Sequence, residues 1–172
     1  MNQDQRKEFV EKHRTCIFAF QRRQGPPSMS AVYYVMDGDD LLISTMAQRA
    51  KAKAVARTGE ASVCVLDEKW PLTYLQVYGP AVVEEDFAAS VDLMMKVAEI
   101  MSGQPIPEAA RPFVEAKARE EGRVVIRLRP QWTVYSPPVH LHAGDDGSKL
   151  QHGLAERMAW RTRATATRSP IR

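Results

Sequence analysis

Between residues 15 and 84 the chain is divided into short runs of β-favouring residues, none longer than one extended strand, by clusters of Gly, Pro and Asp. Residues 15–22 (TCIFAFQR) form the first run, rich in aromatic and branched side chains that suit a pleated, half-buried surface. The turn-forming stretch at 23–27 (RQGPP) separates it from a second run at 28–36 (SMSAVYYVM). The Asp-Gly-Asp-Asp cluster at 37–40 is a hairpin signal ahead of a third run at 41–45, so these three strands are expected to form a meander. A further run at 61–66 is almost wholly apolar and is expected to be buried on both faces. The last of this series, 72–84, carries Gly79-Pro80 inside it, as at a bend or bulge at a barrel corner.

Helical patterns are few. Residues 3–14 form a short amphipathic stretch, and 46–57 (MAQRAKAKAVAR) is rich in good helix formers and is followed by Thr58-Gly59. Residues 86–102 place Phe87, Val91, Met94, Met95, Ala98 and Met101 on one helical stripe, with Asp86 at the N-cap and Gly103 beyond the end. A second late helix is expected over 107–121, closed by Gly122, with strands at 123–129 and 131–136 after it. Strands and helices do not alternate as a parallel α/β fold requires. The pattern predicts a mainly β (α+β) chain: about six antiparallel strands in a small barrel with a few peripheral helices.

Charge divides the chain at residue 142. Residues 143–172 hold six basic side chains (Lys149, Arg157, Arg161, Arg163, Arg168, Arg172) against three acidic ones (Asp145, Asp146, Glu156). That segment therefore accounts for the whole formal charge of +3, and residues 1–142 are neutral overall. Two units are expected: a barrel domain at 1–142 and a basic, disordered, dispensable tail at 143–172. The basic excess lies outside the expected folded surface, which argues against a specific nucleic-acid interface. No apolar run is long enough to span a membrane, and the polar N-terminal residues do not resemble a secretory signal. Cys16 and Cys64 each sit inside an apolar run, as buried thiols do, and a cytoplasmic location is expected.

Common catalytic motifs are missing: no GxSxG, P-loop, HExxH or CxxC occurs. His140 and His142 could share one side of an extended segment, but no Cys or acidic partner stands at ligand spacing, so no metal site is expected. The richest segment is 41–53 (LLISTMAQRAKAK), where a strand ends at Ser44-Thr45 just before a helix. A helix N-terminus exposes unpaired amides and positive partial charge. Two hydroxyls with Arg49 and Lys51 in the first turn would complete a phosphate site there. A solvated Lys/Arg face on an Ala-rich helix accounts for the same residues equally well.

The ordered blocks PSMSAVYY at 27–34, LLIST at 41–45, Arg49-Ala50-Lys51, and ASVCV at 61–65 resemble the flavin/deazaflavin oxidoreductases. These are split β-barrel proteins related to pyridoxamine 5'-phosphate oxidase, and the similarity runs over residues 15–136. The resemblance implies a homodimer with the cofactor ring in a groove between protomers. It implies that Arg49 and Lys51 hold the cofactor phosphate. Ser30, Ala31, Val32, Ser44, Thr45 and Met46 would line the ring, with Tyr74 and Gln76 approaching from the other side. The short RAKAK helix resembles the B branch, which implies the deazaflavin coenzyme F(420) first and FMN second.

In such proteins the cofactor supplies the redox chemistry, and hydride would pass to a small or planar electron-poor substrate, so no catalytic dyad is expected. Tyr33, Tyr34 and Tyr74 are the polar aromatics placed to orient a substrate, although each could equally be a packed strand residue. FMN-dependent chemistry of the pyridoxamine-phosphate-oxidase kind is one alternative. A non-catalytic carrier of a cofactor or tetrapyrrole is another.

Overall fold

The computed structural model describes residues 1–69, 72–136 and 155–161. In chain order they form α1 (Gln3–Lys12), β1 (Thr15–Phe20), β2 (Ser28–Tyr33), β3 (Val35–Asp37), β4 (Asp40–Met46), α2 (Ala50–Thr58), β5 (Glu60–Asp67) and β6 (Thr73–Glu84). Then follow α3 (Phe87–Ser102), a 3₁₀ turn at Glu108–Ala110, α4 (Arg111–Glu121), β7 (Arg123–Leu128), β8 (Trp132–Tyr135) and β9 (Glu156–Ala159). The strand order is β2-β1-β5-β6-β7-β4-β3, with β8 on β6 and β9 on β8, and all pairs are antiparallel. This is a curled half-barrel with peripheral helices, as the strand pattern predicts.

The curl comes from β6. Its first half pairs with β5 and β8, and after Gly79-Pro80 its second half pairs with β7. A Cβ on Gly79 would lie 2.2 Å from the Arg129 carbonyl oxygen and 2.9 Å from the Gln131 nitrogen, so only glycine fits. Around the bend, the amide of Gln131 donates to the Tyr78 carbonyl and that of Arg129 to the Pro80 carbonyl. The core sits inside the curl, where Phe18, Leu41, Ile43, Val63, Val65, Leu75, Val77, Ile126 and Leu128 are all buried.

Four local expectations change. Residues 28–36 are two strands, not one. The Tyr34 amide bonds to the Arg14 carbonyl, and its buried hydroxyl donates to the Val10 carbonyl at 2.5 Å. Held in this way, Tyr34 separates β2 from β3, and these fall at opposite ends of the pairing order, so no three-stranded meander forms. In β5, Ala61, Val63 and Val65 are buried, whereas Ser62 is exposed and Cys64 half-buried, so only one face is covered. Helix α2 starts at Ala50 rather than Met46, because Arg49 is still extended at the N-cap. The expected helix at 107–121 is a 3₁₀ turn followed by α4, with Pro112 in its first turn, where a missing N–H does no harm.

The expectation of a disordered tail is corrected at its described part; the rest of 143–172, and His140 and His142 before it, lie outside the described residues. Glu156–Ala159 extends the sheet as β9, and Trp160 is 2% exposed in the core. Arg6, 1% exposed, explains why. Its guanidinium donates to Thr133 Oγ1 (2.9 Å), the Glu156 carbonyl (3.1 Å) and Glu156 Oε2 (3.3 Å), tying α1 to β8 and β9. Gln3 Nε2 adds bonds to the carbonyls of Ala159 and Trp160. Apolar periodicity over four residues was too short to reveal this. The segment is therefore expected to be needed for stability: Trp160→Ala should cost about 3–5 kcal/mol in urea unfolding, as removal of a buried aromatic does, and an unchanged midpoint would show that it is not part of the core.

Candidate functional site

The open ends of the half-barrel meet without pairing. One edge of β2 is bonded to β1, and no ladder joins its other edge to β4 among the described residues. A cavity of about 420 Å³ lies in this seam. On the strand side it is lined by Ala31, Val32, Tyr33, Ser44 and Thr45. Helix α3, which packs on β4 and β7, supplies Met94, Val97, Ala98 and Met101 as an apolar wall. Arg49, Lys51 and Arg123 complete the lining, and no carboxylate of the described residues joins them.

Lys51 is the most unusual of these residues. It is 9% exposed, its Nζ donates to Ser30 Oγ at 2.7 Å, and it lies 5.9 Å from the centre of the Phe18 ring. No ion pair serves it among the described residues, whereas buried charges are ordinarily paired. Burial first, and then the neighbouring Arg49, hold its pKa below the usual lysine value. Ser44 Oγ is buried with no hydrogen-bond partner among the described residues, and buried hydroxyls seldom remain so. Arg49 is exposed at the N-cap of α2, its Nε directed to Met46 Sδ at 3.3 Å. The cavity thus has a cationic end with an unsatisfied hydroxyl and an apolar wall beside it.

Of the residues expected from sequence, Ala31, Val32, Ser44, Thr45, Arg49 and Lys51 line this one cavity, and Ser30 bonds to Lys51 from its edge. Met46 ends β4 and touches Arg49 without lining it. Tyr74 and Gln76 stand elsewhere, on β6 opposite Leu66 and Cys64. Tyr33 lines the cavity, while Tyr34 is sealed in the core, where burial raises its pKa strongly. Cys16 is likewise a core thiol, pushed up to about 12 by burial. Sequence reasoning missed Arg123 and the α3 wall. The apolar stripe of α3 was legible, but not which sheet face it covers. A larger hollow of about 590 Å³, bordered by Tyr78 and Trp132, holds none of the expected residues. Among the described residues no cluster could hold a metal ion, and no helix is long and apolar enough to cross a membrane.

The profile of pyridoxamine 5'-phosphate oxidase matches residues 3–136. The chain belongs to the pyridoxamine 5'-phosphate oxidase family. No curated protein matches the sequence. Among solved structures, a conserved hypothetical protein from Mycobacterium tuberculosis is 24% identical with a TM-score of 0.66, over 77% of this chain and 82% of that one. An F(420) reductase is 22% identical with a TM-score of 0.57, over 74% of this chain and 94% of the other. A heme-binding protein from Mycobacterium smegmatis is 15% identical with a TM-score of 0.59, over 92% of this chain and 57% of the other. At these identities the likeness is one of fold.

In this family member, burying the Lys51 ammonium opposes folding. Because its folded pKa is lowered, the penalty is full below that pKa. It fades as pH rises from that lowered value towards the ordinary lysine range, since the folded chain then sheds the proton first. Lys51→Met should therefore melt above the parent at pH 7, with the difference shrinking towards pH 10. A Lys51→Met variant less stable than the parent at neutral pH would show that the ammonium is compensated within the fold.

Proposed function

We propose that this chain is a flavin- or deazaflavin-dependent oxidoreductase that binds its cofactor in the β2–β4 seam. The observation that carries the reading is Lys51: a cation buried without a carboxylate among the described residues, beside Arg49 and a Ser44 hydroxyl that none of them satisfies, at the end of a cavity with an apolar wall. Such a site is completed by an anion attached to a flat apolar body. Arg49 can clamp two phosphate oxygens, and Lys51 supplies a point charge. The free edge of β2 and the side of β4 that β3 leaves unpaired beyond Leu42 offer backbone groups to the rim of a heterocycle, while Met94, Val97 and Met101 exclude water from its face. Coenzyme F(420) stands first, in keeping with the F(420) reductase that shares the fold, and FMN second.

When bound, such a cofactor supplies hydride transfer to an electron-poor substrate. The protein's part is to bind, orient and shield. Tyr33, partly exposed at the cavity, is the side chain placed to hold a substrate polar group. A homodimer fits the exposed outer face of β2, where Met29, Ala31 and Tyr33 lie on one side of an edge strand. Through a partner, Tyr74 and Gln76 could reach the groove that they do not reach within one chain. The second reading, a tetrapyrrole carrier without turnover, is favoured by the fold likeness to the M. smegmatis heme-binding protein and by two methionines in the cavity wall.

A visible spectrum of the purified protein separates the readings, since flavin, deazaflavin and haem absorb at different wavelengths. The residue-level test is titration of variants with F(420) and FMN. A charge-assisted phosphate contact is worth about 1.5–3 kcal/mol, so Arg49→Ala or Lys51→Met alone should weaken binding roughly ten- to a hundredfold. The double variant should nearly abolish binding. Lys53, exposed and outside this cavity, is the control, and Lys53→Ala should have little effect. Unchanged affinity of the double variant for both cofactors would overturn the assignment.

A further inference from the structure

Arg123 has no role in the expected phosphate pair, yet the fold fixes it from three sides. It opens β7 directly after Gly122, and its carbonyl accepts a bond from Ser90 Oγ of α3 at 3.3 Å. Its backbone lies opposite Met46, whose sulfur meets Arg49. Its Nε donates to Glu121 Oε2 at 2.6 Å. The Arg123 bond, more than any other influence, holds the Glu121 carboxyl below its usual range, so this brace stays charged near neutrality. Glu121 also lies 3.7 Å from the Lys117 ammonium. The two terminal nitrogens of Arg123 have no hydrogen-bond partner among the described residues, and the side chain lines the seam cavity.

A guanidinium anchored through Nε and open at its terminal fork is preorganised to take anionic oxygens. Glu121 offsets part of its charge at the anchored side and is not part of the cavity lining. Three cations around one cavity whose described lining holds no carboxylate repel one another, and a ligand with a single negative charge relieves only part of that repulsion. We infer that Arg123 is a third anion contact, and that the ligand of this site bears two negative charges at its anionic end. This rests on the proposed seam site. Two sources share that chemistry: a phosphomonoester, as in FMN, or a phosphodiester with a carboxylate close by, as in F(420). The Arg123–Glu121 pair positions the contact, and Ser90 fixes the backbone beneath it.

The test is fluorescence titration of the full-length parent and of Arg123→Gln, Arg123→Lys and Glu121→Gln. The ligands are FMN, riboflavin, F(420) and the phosphate-free deazaflavin core. For whichever ring system the parent binds, Arg123→Gln should weaken the phosphate-bearing ligand roughly tenfold or more and leave the phosphate-free one unchanged. Arg123→Lys should recover part of the loss, and Glu121→Gln should show a smaller loss of the same selectivity. The ring system on which the effect falls identifies the source. Equal weakening of phosphate-bearing and phosphate-free ligands would make Arg123 a structural residue and overturn the inference, as would no effect on either. A parent that does not distinguish FMN from riboflavin, nor F(420) from its core, would instead overturn the seam reading itself.

Discussion

The close approach of β6 to the segment entering β8 governs this architecture. With no side chain at Gly79, the backbone of residues 129–131 can pack directly against the bend, and β6 leaves one set of partners for another. That single change of partner rolls the sheet. It brings β7 and β4 around to face β2, and it encloses the residues from Phe18 to Leu128 that make the core. A flat sheet of the same strands would bury one face at most, and the inward sets of β1, β4 and β5 would have nothing opposite them.

Rolling the sheet also creates the seam. β2 and β4 approach without pairing, so the cavity between them is walled by strand edges rather than by a completed ladder. Into this place the fold sets two arginines, a buried lysine and a serine hydroxyl, the last two without a carboxylate or a hydrogen-bond partner, respectively, among the described residues. Burial of the Lys51 ammonium opposes folding. Unfavourable electrostatics concentrated at one cavity are what the proposed anionic ligand would relieve.

The chain ends matter for a different reason. Helix α1 sits over the open side of β8 and β9, and Arg6 satisfies carbonyls that would otherwise end in apolar surroundings. Lys7 reaches Asp39 at 3.2 Å and lies over the Trp160 ring, so the same helix braces the β3–β4 turn next to the seam strands. Arg127 adds Glu84, Asp37 and Asp40 in a half-exposed network that holds β7 against that turn. Exposed pairs of this kind contribute little singly; their value here is in fixing register near the site.

Most of the strand inventory was legible in the sequence, because alternation of apolar and polar residues and the turn clusters are local signals. The same holds for the N-cap at Asp86, the bend at Gly79-Pro80 and the cationic run at Arg49 and Lys51. The resemblance carried the family and joined Ala31 and Val32 to Ser44 and Thr45, which no local rule could do. The break at Tyr34 and the strand at Glu156–Ala159 escaped, since each depends on a distant partner: the Val10 carbonyl for one, Arg6 for the other. Arg123 escaped for the same reason, being an ordinary strand residue until Glu121, Ser90 and Met46 converge on it. The sequence by itself determined which segments become strands and which side chains carry charge, because propensity and periodicity act over a few residues. Only the tertiary structure decided that β2 and β4 would meet unpaired and that Lys51 would be buried there, because burial and unmet hydrogen bonds arise between segments distant in the chain.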